Sequence, residues 1–225
     1  MNLFKLFMKK EIYDYEKVLL KRFKKKARNF NNSIKLLIIS DTHGELELDD
    51  KYIKKFKDID YDLCCILGDV TLKEYEIIKE YIPTDKILAL LGNHDSLDLL
   101  EKANLNNING KVINYKGLRI AGIQGTYKYK DEKFPSFTHE ESKNFLDNMP
   151  EVDILLSHDK PFTINHKNYA HDGLQGITYY LYKNQIPINI HGHLHESYEN
   201  VLKNGTTEKC VYRIEIIDIQ NGKII

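Results

Sequence analysis

Five short apolar runs in this chain each end in a loop that carries Asp, Asn or His. The loops are Ser40-Asp41-Thr42-His43, Gly68-Asp69, Gly92-Asn93-His94-Asp95, Ser157-His158-Asp159 and Gly192-His193-Leu194-His195. Carboxylate oxygen, amide oxygen and imidazole nitrogen without thiolate form a mixed N/O donor set suited to Mn, Fe, Co or Zn. The donors outnumber the four of one tetrahedral site, which points to two cations. A pair about 3.5–4 Å apart needs an anion between its members, and such pairs clamp the attacking and leaving oxygens of phosphoryl transfer. The glycines before Asp69, Asn93 and His193 are expected to let the backbone turn sharply into the site. Taken singly the motifs are commonplace: Asp-x-His is usually a loop, Gly-Asp a turn and Gly-His-x-His a surface cluster. All five in order, each behind a strand, point to a metal site.

In α/β sheets such sites form outside the carboxyl ends of strands, and the pattern supplies the strands. Ile34–Ile39, Leu63–Leu67, Ile87–Leu91, Val152–Leu156 and Ile188–Ile190 are continuous apolar runs, as expected for strands buried on both faces. Between them the spacing predicts helices around Asp49–Lys57, over Thr71–Tyr81, from about Ser96, and over Gly173–Tyr182. A further helix opens at the capping box Thr138-His139-Glu140-Glu141. Lys111–Tyr115 and Leu118–Ile123 read as a hairpin turned at Lys116-Gly117. After His195, Asn204-Gly205 and Asn221-Gly222 mark the turns of a strand meander. The economical architecture is α/β, two sheets with helices outside.

The order Asp-x-His, Gly-Asp, Gly-Asn-His-Asp, His, Gly-His-x-His resembles that of the calcineurin-like metallophosphoesterases, from Asp41 to His195. The resemblance implies a four-layer α/β/β/α sandwich with two mixed sheets. It divides the chain into a basic amphipathic helical extension, residues 1–33, and a metallophosphoesterase domain, 34–225. One divalent ion would take Asp41, His43 and His195, the second Asn93, His158 and His193, with Asp69 bridging them. Mn is the foremost candidate, with Fe, Zn, Co or Ni as others. His94 would be the catalytic imidazole facing the scissile phosphate, oriented by Asp95. The implied reaction is hydrolysis of a small phosphomono- or phosphodiester by a metal-bridging hydroxide. The protein Ser/Thr phosphatases of the family carry Asp and Arg shortly after Gly-Asp. Here Val70-Thr71-Leu72-Lys73 follows, which disfavours that substrate class. His94 leaves monoesters open. The alternatives are a nuclease using the basic arm and the 126–130 loop, and a non-catalytic scaffold that binds protein. A scaffold is expected to have lost ligands, whereas all seven are present.

Formal net charge is zero, from 33 basic and 33 acidic residues, but residues 1–33 hold ten Lys/Arg against Glu11, Asp14 and Glu16. Met8, Ile12, Tyr15, Leu19 and Phe23 share one helical face. Packing on the chain's own domain is the preferred reading of that helix, ahead of a membrane surface or nucleic acid. Cys64 and Cys65 are adjacent on a strand and should point to opposite faces. With Cys210 and no Cys-x-x-Cys spacing, they read as structural cysteines of a cytoplasmic protein. No apolar stretch nears the roughly 20 residues of a membrane span, and Leu3–Met8 is too short for a signal peptide. Among the remaining histidines, His139 is expected to face solvent, His166 to sit in a loop, and His191 to be a satisfied, partly buried neighbour. His171 either lines the substrate pocket or starts a helix. Tyr127 and Tyr129 flank Lys128 in a loop able to hold a phosphate or a base.

Overall fold

The computed structural model describes residues 15–24, 26–48, 51–54, 57–163 and 169–225. Its first half runs from helix α1 (Tyr15–Phe23) to strand β1 (Ser33–Ser40), the single turns α2 (Glu45–Leu48) and α3 (Lys51–Lys54), and strand β2 (Leu63–Ile66). Helix α4 (Leu72–Tyr81), strand β3 (Ile87–Ala89) and the single turn α5 (Leu99–Lys102) follow. Next come β4 (Val112–Tyr115), β5 (Leu118–Ile123), the short strands β6 (Thr126–Tyr127) and β7 (Ser136–Phe137), α6 (His139–Asp147) and β8 (Ile154–Ser157). Helix α7 (Gln175–Asn184) leads to β9 (Ile188–His191), β10 (Tyr198–Val201), β11 (Thr207–Cys210), β12 (Arg213–Gln220) and β13 (Lys223–Ile224).

Both large sheets are mixed. One has the order β13-β12-β1-β2-β3, the other β10-β11-β9-β8-β5-β4. The two-residue period of the strands divides their apolar side chains between separate cores. Ile34, Leu36, Ile38, Cys65 and Leu90 meet Ile120, Ile154, Leu156, Ile188 and Ile190 of the other sheet in one cluster. Leu37, Ile39, Cys64 and Ile66 turn the other way, onto Tyr75, Ile78 and Leu100 of the helical segments. Ala121, Ile123 and Leu155 do the same for the second sheet, onto Leu146, Ile177 and Leu181. Helix–sheet–sheet–helix stacking requires this sharing, and Cys64 and Cys65 do point to opposite faces. Each fully buried Leu or Ile contributes roughly 1.5–3 kcal/mol of transfer free energy.

Local chemistry sets the element ends. Thr71 caps α4, its Oγ1 accepting from Glu74 N at 3.2 Å while Glu74 Oε2 accepts from Thr71 N at 2.9 Å. Thr138 and Glu141 form the predicted box on α6. At the β4–β5 turn Lys116 and Gly117 both have positive φ, 48° and 78°, as a two-residue type I′ hairpin demands. The predicted helix from Ser96 shrinks to α5, because Ser96 Oγ donates to Asp98 Oδ1 at 2.7 Å and holds a turn first. Of the helix expected over Asp49–Lys57, α3 is the described part; residues 49–50 and 55–56 lie outside the described residues.

The predicted C-terminal meander is instead split between the sheets. β10 and β11 pair around Asn204-Gly205 and β11 runs parallel to β9, whereas β12 crosses over to lie antiparallel to β1. The register from Ser33 opposite Gln220 to Ser40 opposite Arg213 covers all of β1. β1 otherwise has a bare edge, and Ile217 and Ile219 fill the core between the sheets from that position. Helix α1 packs on the chain itself: Leu19 is buried beside Leu181 and Tyr182 of α7. Glu16 accepts from Tyr182 Oη at 2.8 Å and pairs with Lys203 at 2.7 Å. Met8 and Ile12 lie outside the described residues. Among the described residues, no helix is long and apolar enough to cross a membrane.

Candidate metal centre

The parallel strands β1, β2, β3, β8 and β9 deliver all five motif loops to one place, three from the first sheet and two from the second. Asp41, Asp69, Asn93, His158 and His193 are buried, whereas His43, His94 and His195 are exposed. The donor atoms of Asp41, His43 and His195 lie within 4.8 Å of one another, and so do those of Asp41, Asp69 and His158. His43 Nε2 and His195 Nε2 are 3.0 Å apart. Asp69 Oδ2 is 3.7 Å from His43 Nε2 and 3.6 Å from His158 Nε2, and Asp41 Oδ1 is 3.6 Å from His195 Nε2. His158 Nε2 lies 3.1 Å from Asn93 Oδ1.

Two of these atoms are orphans. Among the described residues, Asp41 Oδ1 and Asp69 Oδ2 are buried carboxylate oxygens with no hydrogen-bond partner, a condition that costs about 1–3 kcal/mol each when nothing else satisfies them. Their sister oxygens are spoken for. Asp41 Oδ2 accepts from Ser40 Oγ at 2.5 Å and His193 N at 2.8 Å, and Asp69 Oδ1 accepts from His94 N at 2.8 Å. The imidazoles are oriented in the same way. His158 Nδ1 donates to Leu67 O at 2.8 Å and leaves Nε2 with its lone pair facing the carboxylates. His193 Nε2 donates to Ala170 O at 3.0 Å and leaves Nδ1 as the available nitrogen.

The close approach of the loops is enforced by glycine, though not as the sequence led us to expect. Gly68 does have a left-handed φ of 106°, but Gly92 and Gly192 do not. They are needed for space. A Cβ on Gly92 would collide with Asp69 Oδ1 and sit 2.6 Å from Asp69 N; one on Gly192 would overlap Ser40 Oγ and Asp41 Oδ2. The left-handed residues are the polar ones themselves: Asp41, His43, Asp69, His193 and His195 have φ of 56°, 47°, 55°, 71° and 53°.

Charge and burial compete at the centre. Burial opposes protonation of His158, but the carboxylates of Asp69, Asp41 and Asp95 raise its pKa above the ordinary imidazole value. Burial lowers that of His193. Asp95 is pushed up to about 7, first by burial and then by the charge of Asp69, against N–H bonds from Gly92 and Asp69. Those bonds, 2.7 and 2.9 Å to Oδ2, correct the expectation that Asp95 orients the imidazole of His94. Its carboxylate is turned inward to join the second and third loops. His94 instead stands beside His43, ring centroids 5.3 Å apart. It lines a cleft of about 270 Å³ with Asp69, Thr71 and Ser96.

Several neighbours depart from the sequence reading. His139 does not face solvent: its ring stacks on Tyr127 at 4.4 Å and 16° and meets Phe162 edge-on at 4.9 Å. Burial lowers its pKa. His191 is satisfied, as expected, but fully buried, with Nε2 3.2 Å from Glu208 Oε1. His171 comes to the site, its ring 5.0 Å from that of His193 at 87°. His166 lies outside the described residues. Sequence reasoning passed over Asp159, a buried carboxylate that accepts from Tyr127 N at 3.0 Å. Its place beside His158 was the available signal. Tyr129, whose Oη accepts from Asn93 Nδ2 at 3.3 Å, was noticed only as part of a basic-aromatic loop.

Comparison with known proteins agrees with this geometry. No curated protein matches the chain. Among solved structures, one of a Thermus thermophilus protein is similar with a TM-score of 0.63 at 15% identity, covering 86% of this chain and 98% of that one. The phosphopantetheinyl hydrolase of Mycobacterium tuberculosis is similar with a TM-score of 0.57 at 12% identity, covering 80% and 89%. At such identities they speak for the fold alone. Residues 34–210, by contrast, match the family profile described as the calcineurin-like phosphoesterase superfamily domain. A profile match over most of the chain decides the matter: this is a metal-dependent phosphoester hydrolase belonging to the calcineurin-like phosphoesterase superfamily.

Proposed function

We propose that the protein hydrolyses small phosphoesters at a dinuclear centre. Asp41, His43 and His195 would hold one divalent cation, and Asn93, His158 and His193 the second, with Asp69 shared. The observation that carries this reading is the pair of buried, partnerless oxygens, Asp41 Oδ1 and Asp69 Oδ2, each 3.6–3.7 Å from imidazole nitrogens. Those separations are too long for hydrogen bonds. Two ligands on bonds of about 2.1 Å lie roughly 3.4 Å apart at a tetrahedral angle, so the spacing suits atoms that share a cation. The N/O donor set favours Mn, Fe, Co, Ni or Zn over Ca. When bound there, two such cations supply Lewis-acid polarisation of a phosphoryl oxygen and an activated water.

The chain's own residues do the rest. The exposed side of the centre, lined by His43, His94 and His195, admits the phosphate. His94 is anchored through its backbone N–H to Asp69 Oδ1, and its exposed imidazole is placed to donate a proton to the leaving oxygen. Asp95 is a positioning residue, because its bonds to Gly92 N and Asp69 N fix the backbone that carries Asp69 and Asn93. The test is metal analysis of the purified protein, with hydrolysis of a chromogenic monoester and a diester before chelation, after it, and after adding back Mn, Fe, Zn, Co or Ni. Full activity in metal-free protein would overturn the reading.

A further inference from the structure

The proposed reaction leaves the alcohol portion of the substrate undefined, and a second cleft bears on it. It encloses about 600 Å³, inside the roughly 300–1,000 Å³ of small-molecule sites. Tyr127, Tyr129, His139 and Phe162 line it together with Tyr15 and Val18 of α1. Two hydrogen bonds tie its Tyr127–Tyr129 side to the motif loops. Tyr129 Oη accepts from the side chain of Asn93, and Tyr127 N donates to Asp159, the neighbour of His158.

Lys128, Asp172 and Gln175 also line it, but most of its lining is a chain of rings. Tyr127 stacks on His139, His139 meets Phe162 edge-on, and Phe162 meets Tyr15 edge-on at 6.1 Å. Val18 stands at the mouth, apolar yet 54% exposed, while the adjacent Leu19 anchors the same helix in the core. Helix α1 also precedes the matched family domain, which begins at residue 34, so this part of the lining lies outside the match.

We propose that α1 and the 126–129 loop form a specificity cleft for the leaving group, and that the substrate is an organic phosphoester whose alcohol portion carries a planar aromatic ring. The inference rests on the phosphohydrolase reading above. Rings recognise rings by offset stacking and edge contacts, and the tyrosine hydroxyls and His139 offer polar tips to a ring with heteroatoms. In the reaction water adds to phosphorus, the P–O bond to the alcohol breaks, and the alcohol leaves with a proton.

The test uses the full chain and two readouts. In chelator, 1-naphthol binding is followed by its own fluorescence. With metal, kcat/KM is compared for 2-(1-naphthyl)ethyl phosphate and ethyl phosphate, whose leaving alcohols have similar acidity. We expect naphthol to bind metal-free protein. We also expect the naphthylethyl ester to be preferred about tenfold or more, the worth of one good aromatic contact. Val18→Asp and Tyr15→Ala should lower naphthol affinity and that preference about tenfold, mainly through KM. Val201→Asp, at an exposed strand position, should change neither. Equal kcat/KM for the two esters, or naphthol binding indifferent to Val18→Asp, would overturn the cleft assignment. So would naphthol binding that appears only after removal of residues 1–14, since the chain's own terminus would then be the occupant. If neither ester is hydrolysed with any metal, the hydrolase reading fails instead, and naphthol binding still decides the cleft.

Discussion

Replacing Asp69 by Asn should move the metal-free and metal-loaded states in opposite directions. Asp69 Oδ1 accepts from His94 N at 2.8 Å, a bond that an Asn carbonyl retains, and Asn tolerates the left-handed backbone found at this position. The oxygen that changes is Oδ2, buried without a hydrogen-bond partner between the imidazoles of His43 and His158. In metal-free protein that unmet acceptor costs about 1–3 kcal/mol. An amide there removes the charge and offers N–H groups to nitrogen lone pairs. For a chain of this length each kcal/mol moves Tm by about 2–4 °C. The chelated variant should therefore melt about 2–12 °C above chelated wild type. Metal reverses the order. A cation at 100 times its Kd stabilises the fold by about 2.7 kcal/mol, and a hundredfold loss of affinity leaves only about 0.4 kcal/mol of that. With Asp69 shared as proposed, both sites should weaken. Scanning calorimetry of both proteins, in chelator and in excess Mn(II), reads the two shifts. A metal-induced shift equal to wild type would refute Asp69 as the residue between the cations. A variant that melts below wild type in chelator would refute the argument from the orphaned oxygen.

Gly192→Ala should destabilise the protein by about 1–3 kcal/mol and abolish binding of at least one cation, since its Cβ overlaps Ser40 Oγ and Asp41 Oδ2; denaturant midpoints and metal stoichiometry check both. His94→Ala should keep its metals and lose about 10²–10⁴ in turnover, the usual worth of general acid catalysis. Alkyl phosphates should lose more than nitrophenyl phosphates, and a uniform loss across a leaving-group series would show that the imidazole only packs. Glu208→Ala should cost about 3–5 kcal/mol, because it strands the buried His191 ring and the Tyr198 hydroxyl that bond to its Oε1 at 3.2 and 3.1 Å. Urea unfolding measures that loss, and an unchanged midpoint would mean that His191 is satisfied elsewhere.

The strands that carry the site were legible because each is an apolar run that ends abruptly in a polar residue. β1, β2, β3, β8 and β9 all answer to that signal, and their ends fix where the seven candidate ligands converge. The β4–β5 turn and the cap of α6 were legible for a local reason: Lys116-Gly117 and Thr138–Glu141 hold their conformations with neighbours in sequence. What escaped depends on distant partners or on elements too short to have a period. α2 and α5 are single turns, so no helical repeat could mark them. The crossing of β12 into the first sheet depends on the bare edge of β1, about 180 residues upstream. His139 is half-buried against Tyr127 and Phe162, and a capping box says only that it sits in the first turn of a helix. Asp95 looked like a partner for His94 because it is the next residue. Its real partners, Gly92 N and Asp69 N, lie where two strands of one sheet end side by side.

The backbone bonds among the loops explain how this strained arrangement persists. Left-handed φ at a non-glycine residue costs about 1–2 kcal/mol, and five residues of the centre adopt it. Asp41, His43, Asp69 and His193 are bonded across loops. Asp41 N donates to Gly68 O and His43 N to Asp69 O, which ties the first loop to the second. Asp95 ties the second to the third, and His158 Nδ1 ties the fourth to Leu67 at the end of β2. Gly192 N donates to His158 O and His193 N to Asp41 Oδ2, which returns the circuit to its start. Four of the five, Asp41, His43, Asp69 and His193, are thus bonded to a loop from another strand, and the circuit joins the two sheets. A change in one loop reaches its neighbours through a bonded contact, so substitutions here are coupled and their energies should not add. The conformational cost is met by the fold before any cation arrives. Among the described residues the circuit leaves the inward-facing oxygens of Asp41 and Asp69 without a partner, and under the proposed assignment a divalent ion would satisfy them.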